Sequence, residues 1–299
     1  MQVPFVICDV FTDVRFGGNP LAVITDARGV TDADMQRIAR EFGFSETTFV
    51  LPADAGDEGG ATHRVRIFAP SGELPFAGHP NVGTAFVLAA GEEGESVEAF
   101  RFREGAGLVE VSVARDEAVT RCEFRAPEAF RAGDEVDPAL VARACGLVPE
   151  DISTSRHVPV LASVGLPFVV AEVVDRAALA RARPDVVGFG ALTGAPEHRG
   201  VHLYCRQVDG SLDCRMFSGH GSVSEDAATG SANAALGGLL ASLDPRPDGE
   251  IRWTVRQGED MGRPSRLAVR VVRRGGEVEA VHVGGRSVWV ADGMLRLGD

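Results

Sequence analysis

The chain has 299 residues, enough for one large domain or two ordinary ones, and its 44% apolar and 24% charged residues are the proportions of a soluble globular protein. A net charge of −13 repels phosphate backbones and anionic membrane surfaces, which argues against nucleic acid and membrane partners. All 30 basic residues are Arg, so an internal Schiff base is excluded, and with it ordinary pyridoxal-phosphate catalysis and the lysine of a P-loop.

In chain order, residues 3–11 and 20–25 read as strands joined by a Gly-Gly-Asn-Pro turn. Thr31 opens a helix, TDADMQRIAREF, with acids in its first turn and Arg in later ones. Residues 47–52 and 62–69 read as strands, a helix follows near 79–90, and strands come near 97–103, 107–113 and 120–126. The polar, turn-rich stretch 127–136 marks a possible boundary. Asp137-Pro138 is an N-cap plus N1 pair that opens a helix to about Cys145. Strands are expected near 157–162 and 167–173, then a short helix, DRAALARAR, before Pro184. Further strands near 201–206 and 211–217 lead to a helix near 231–242, and strand-like segments fill the rest. Strand–turn–strand runs outnumber strand–helix–strand units, so mixed α/β with much antiparallel pairing is expected.

Two of these helices, HPNVGTAFVLAA from His79 and SANAALGGLLAS from Ser231, are apolar or small nearly all round. Such a helix is buried on every side, which predicts a central helix wrapped by strands. Their starts share the pattern Gly-x-x-Asn, at Gly78 to Asn81 and at Gly230 to Asn233, and each follows an acid, Glu73 or Asp226. Together these features suggest two related halves.

A helix start preceded by Gly offers free backbone N–H groups and the positive end of the helix dipole. Two such starts facing each other would bind a carboxylate; equally, Gly78 and Gly230 could only permit tight turns. His79 and Ser231 could donate hydrogen bonds to the same ligand, or serve as a structural histidine and an N-cap. Asp226 could act as an acid/base group or bind the helix N-terminus. Glu46 lies in GFSETTFV between Phe44 and Phe49. If buried there its pKa would rise, making it a usable proton carrier; the plain alternative is an exposed strand-start Glu.

Other chemistries lack their signatures. There is no GxSxG, GxGxxG or HExxH, so the sequence carries no such elbow, dinucleotide or zinc motif. His63, His157, His198, His202, His220 and His282 form no ligand cluster, and His198 and His202 lie in PEHRGVHLY, which reads as a turn into a strand. No metal site is expected. The cysteines, Cys8, Cys122, Cys145, Cys205 and Cys214, are scattered without a CxxC, as suits a reducing cytoplasm. The first residues, MQVPFVICDVF, show no signal peptide, and no apolar run reaches the length of a membrane span, so a cytoplasmic location is expected. A hydrolase triad of Ser231, His79 and Asp226 lacks the strained elbow and would need a separate oxyanion hole.

The segments DVFTDVRFGGNPLAVI, FSETTFV, RIFAPSGELPFAGHP, RMFSGHGSVSEDAATGSANAALG and VRQGEDMGRPS, in order from Asp9 to Ser265, resemble the PhzF-like phenazine-biosynthesis isomerase/epimerase family. The resemblance implies an α+β, diaminopimelate-epimerase-like fold. That fold has two similar domains, each a curled, mostly antiparallel sheet around a central helix, with the active site between them. It places one domain at 1–127, joined by a returning C-terminal strand at about 286–299, and the other at 128–285. In the family's best-understood member a Glu of the FSET segment shuttles a proton within a dihydro-hydroxyanthranilate substrate; here that residue is Glu46. By the same matching His79 and Asp226 are catalytic, while Ser231 and the backbone of Gly78 and Gly230 bind substrate. Related amino-acid epimerases use two thiols, one before each helix; Ala77 and Thr229 stand at those places, so the two-thiol route is unavailable. Pro80 after Gly-His and Ala227 after Glu-Asp also depart from the family pattern.

The expected function is therefore a cofactor-independent isomerase that transfers a proton on a small carboxylate-bearing metabolite, with a homodimer plausible from the resemblance. The competing readings are a non-catalytic small-carboxylate binding protein and a serine hydrolase acting through Ser231.

Overall fold

A computed structural model describes residues 1–54, 56–57, 59–91, 98–116, 119–192, 200–218 and 224–298. They fall into two compact units, Met1–Pro127 with Gly284–Asp299, and Glu128–Val283.

The first unit starts with β1 (Gln2–Val10), β2 (Asn19–Ile24), α1 (Asp32–Phe42), β3 (Thr47–Pro52) and β4 (His63–Ala69). It continues through β5 (Gly72–Leu74), α2 (Gly78–Gly91), β6 (Ala99–Glu104), β7 (Gly107–Asp116) and β8 (Val119–Arg125). β1 runs antiparallel to β2, β3 to β4, β4 to β5, β6 to β7 and β7 to β8, while β2–β3 and β4–β6 are parallel. α1 begins where Thr31 Oγ1 accepts from the Asp34 amide at 3.2 Å and ends at the left-handed Gly43. Its apolar face, Met35, Ile38 and Ala39, packs with Val3, Ile24, Phe49 and Phe68.

α2 has no polar face to offer water, and it is contacted by β1, β2, β3, β7 and β8. Close approach depends on Gly83, where a methyl group would come within 2.5 Å of Leu21 Cδ2 and 2.7 Å of Val10 Cγ2.

The second unit contains β9 (Arg131–Glu135), α3 (Pro138–Ala144), β10 (Ile152–Ser153), β11 (Val160–Ser163), β12 (Pro167–Val173), α4 (Arg176–Arg181) and α5 (Val186–Leu192). Then come β13 (Gly200–Arg206), β14 (Leu212–Ser218), β15 (Ser224–Asp226), α6 (Gly230–Ser242), β16 (Gly249–Gln257), β17 (Ser265–Arg274) and β18 (Glu277–Arg296). β13–β14, β14–β15 and β16–β17 are antiparallel, and β12–β13 and β14–β16 parallel. α6, buried from Gly230 to Ala241, is contacted by β11, β12, β16 and β17. From Gly284 onward β18 belongs to the first unit, where it runs antiparallel to β1 from Gln2 opposite Arg296 to Val10 opposite Ser287.

The fold is thus mixed and sheet-dominated, with few helices. Besides the short strands β5, β10 and β15, two longer segments differ from the sequence expectation. The turn-rich stretch 127–136 contains β9, an all-exposed strand paired with β11. Its register depends on backbone bonds rather than on a buried face, so hydropathy gives no sign of it. α5 is hidden by its two glycines, and it starts where Asp185 accepts from the Gly188 amide at 2.6 Å. Among the described residues no helix is long and apolar enough to cross a membrane.

Candidate active site

In the first unit the candidate residues gather where α2 begins. Gly78, His79, Pro80 and Asn81 are all buried, and no acidic residue occupies the helix's first turn. The Asn81 side-chain amide donates back to the Ala77 carbonyl at 3.0 Å, pinning the loop that enters the helix. His79 Nδ1 lies 3.5 Å from Glu46 Oε2 and 3.5 Å from Asn19 Nδ2. Asn19 Oδ1 in turn accepts from Ser45 Oγ at 3.2 Å. The Gly-Gly-Asn-Pro turn therefore links the FSET segment to the helix start through one side chain.

His79 is 4% exposed, and burial lowers its pKa to about 3, with only the Pro20 carbonyl opposing, so the imidazole is neutral at neutral pH. Its Nε2 has no hydrogen-bond partner among the described residues. A buried ring nitrogen without a partner is costly unless a ligand supplies one. Glu46, at 18% exposure, is half-buried and still reachable from solvent. A carboxyl that can hold a proton thus lies beside a neutral imidazole that can orient but not readily ionise.

In the second unit the corresponding helix start is fixed by Gln257, which is 1% exposed. Its Nε2 donates to the Asp226 carbonyl at 2.9 Å and to Thr229 Oγ1 at 3.1 Å. Its Oε1 accepts from the Thr229 amide at 3.3 Å and from Asn233 Nδ2 at 2.8 Å. Thr229 Oγ1 donates to Asp226 Oδ2 at 2.5 Å, which orients that carboxylate. Asn233 Nδ2 also donates to the Thr229 carbonyl at 3.0 Å, as Asn81 does to Ala77. Because its amide nitrogen is committed, Asn233 Oδ1 accepts, so His202 Nε2, 3.1 Å away, carries the proton. Ser265 Oγ donates to the Ala227 carbonyl at 3.2 Å. Gly258 (φ 77°) passes so near that a methyl group would lie 2.5 Å from the Ala227 oxygen.

The structure places Glu46 and His79 together in one unit, and Asp226, Gly230 and Ser231 together in the other. α6 begins at Gly230 with Thr229 in the N-cap position, so Ser231 is not the cap. No imidazole bonds Ser231 among the described residues, and Asp226 is engaged by Thr229. Glu73, the acid before the first helix, is turned to a bidentate pair with Arg66 at 2.7 Å and shares nothing with the role of Asp226. His198 and His220 lie outside the described residues. Among those described, no group of three or more His, Cys, Asp or Glu side chains is placed to hold a metal ion. Gln257 and Ser265 escaped the sequence reading, although a Gln on the otherwise apolar inward face of a strand, after Ile251, Trp253 and Val255 and before a Gly, is a visible signal.

Both buried histidines couple folding to pH. His79 and His202 have folded pKa values of about 3 and about 4 against 6.5. The unfolded chain binds more protons between those limits, so their contribution is full above 6.5 and is lost as pH falls toward 4. Urea unfolding of His202→Gln is expected to show a shallower loss of stability over that window than the parent, by up to one proton's worth of slope.

The family model for phenazine biosynthesis-like proteins (PhzC-PhzF) matches residues 8–293. An uncharacterized isomerase of Mesorhizobium japonicum is 38% identical over 302 residues, covering 97% of this chain and 98% of the relative. The trans-2,3-dihydro-3-hydroxyanthranilate isomerase of Pseudomonas aeruginosa is 36% identical over 311 residues, covering 98% and 99%. The crystal structure of a Bacillus anthracis phenazine biosynthesis protein of the PhzF family superimposes with a TM-score of 0.88 at 27% identity, covering 99% of this chain and 100% of that one.

Proposed function

The chain belongs to the phenazine biosynthesis-like family and is an isomerase, and on that premise we propose that it moves a proton within a small carboxylate-bearing metabolite using its own side chains. Glu46 takes the proton from an activated carbon and returns it elsewhere on the same molecule. Neutral His79, through its unpartnered Nε2, and Asp226 hold the polar groups of the substrate. The backbone of Gly78 and Gly230 and the hydroxyl of Ser231 bind its carboxylate, and fixed dipoles at the two helix starts stabilise the developing dienolate-like charge. The finer fold assignment, two diaminopimelate-epimerase-like domains each with a central helix, belongs to the same proposal.

The observation that carries it is the Glu46–His79 pair: a half-buried carboxyl 3.5 Å from an imidazole that burial keeps neutral. Ala77 and Thr229 stand where the related epimerases have thiols, which leaves a carboxyl as the proton carrier. The substrate that names the Pseudomonas aeruginosa relative is the first compound to test, followed by other unsaturated hydroxy or amino carboxylates. In deuterated water, a turned-over substrate is expected to acquire solvent label at the carbon that receives the proton, in competition with direct return of the original one. Binding of these carboxylates without isomerisation or label would leave only a binding protein.

A further inference from the structure

Glu104, the last residue of β6, is buried, and its side chain faces that of Asn81 in the first turn of α2. Neither carboxyl oxygen has a hydrogen-bond partner among the described residues, and neither does Asn81 Oδ1. Asn81 Nδ2 donates to the Ala77 carbonyl, which leaves its second amide hydrogen and its unpartnered oxygen Oδ1. An ionised carboxylate could draw on at most that one hydrogen for two desolvated oxygens, and would leave Asn81 Oδ1 without a donor. One proton on Glu104 turns that face into a donor–acceptor pair.

The second helix start displays the completed arrangement. There Asn233 makes the same backward bond, to Thr229, and its oxygen receives a proton-bearing ring nitrogen from His202. We propose that Glu104 is a protonated carboxylic acid in the folded protein, donating to Asn81 Oδ1 as His202 donates to Asn233, and that it is a positioning residue for Gly78 and His79. Burial acts in the same direction, pushing the Glu104 carboxyl well above the ordinary carboxylate range.

The turn that follows Glu104 is clamped to the same loop. The Ala106 amide donates to the Pro75 carbonyl at 2.8 Å, and a methyl group on Gly105 would come within 2.9 Å of Pro75 Cα. Pro75, Phe76 and Ala77 lead directly into Gly78, so one hairpin end holds both the entry loop and the first helical turn. The consequence for substrate binding rests on the assignment of Gly78 and His79 above; the protonation does not.

The test is carboxyl-selective carbon-13 labelling of glutamate in the full chain, followed by NMR over a pH titration, with Glu104→Gln and Glu104→Met alongside. One glutamate signal is expected to stay at the protonated position far above the ordinary 4.5 and to vanish in Glu104→Gln. Glu104→Gln, which keeps a donor, is expected to leave the Gly78 and His79 amide and Asn81 side-chain resonances in place; Glu104→Met is expected to move them. Titration of every glutamate near the ordinary value overturns the proposal, as does retention in Glu104→Gln of every protonated signal seen in the parent. Unmoved resonances in a folded Glu104→Met overturn the positioning role, and a Glu104→Met that does not fold while Glu104→Gln does supports the need for a donor. None of these readouts depends on turnover, so an inactive protein would fail the functional proposal and leave this one standing.

Discussion

Glu46→Gln is expected to lower turnover by about 10²–10⁴-fold, the range for removing a positioned proton carrier, with little change in KM. Gln matches the volume of Glu and can still bond His79 Nδ1, so the start of α2 keeps its surroundings. What it lacks is a site that accepts and returns a proton at neutral pH. Binding is assigned to other groups, the helix-start backbone, His79, Asp226 and Ser231, which is why the loss should fall on kcat. Steady-state kinetics on a compound the parent isomerises, together with solvent deuterium uptake, read both quantities. Turnover within a few-fold of the parent would remove Glu46 from the role. A matched fall in kcat and label uptake, with an unchanged unfolding midpoint, separates lost chemistry from lost structure.

The same residues show how much of the site was legible in the sequence. The burial of the two apolar helices was, because an all-apolar helix has only one stable place, and α2 and α6 are buried nearly from end to end. α1 was equally plain from Thr31 and the acids of its first turn. The meeting of Glu46 with His79 was not a matter of local pattern. It depends on Asn19 reaching Ser45 and the His79 ring, a contact among three segments that only the sheet brings together. Gln257 and Glu104 were missed for a related reason. Each is a polar residue at an inward strand position, where alternation counts it as an interruption rather than as the partner of a distant helix turn. β9 was missed because strand pairing without burial leaves no hydropathy signal.

Arg215→Met is expected to destabilise the protein by about 3–5 kcal/mol, the cost of leaving one member of a buried ion pair without its partner. Arg215 is 3% exposed, and its Nε and Nη2 bond both oxygens of Glu225 at 2.7 Å. Its Nη1 donates to the carbonyls of Leu179 at 3.0 Å, Ala180 at 3.3 Å and Ala182 at 2.8 Å, which close the C-terminal end of α4. The guanidinium also lies 5.0 Å from the centre of the Phe217 ring. Met fills much of the same volume but strands the Glu225 carboxylate and leaves the Leu179 carbonyl to the Ala182 amide, and the Ala180 and Ala182 carbonyls to Arg183 Nη1. Against a typical total stability of about 5–15 kcal/mol, that loss is a large fraction, so urea unfolding at neutral pH should show a much lower midpoint. Adding Glu225→Leu removes the stranded charge, so the double variant should regain part of the loss, the remainder being the lost guanidinium bonds to the carbonyls at the end of α4. A cost for Arg215→Met below about 1 kcal/mol, the range of exposed ion pairs, would show that this network is solvated and not structural. Asp226, next in sequence to Glu225, is oriented separately by Thr229 and Gln257. Arg215→Met assayed well below its unfolding temperature should therefore retain most of its turnover, which separates the residue that holds β15 in the fold from those proposed to act on the substrate.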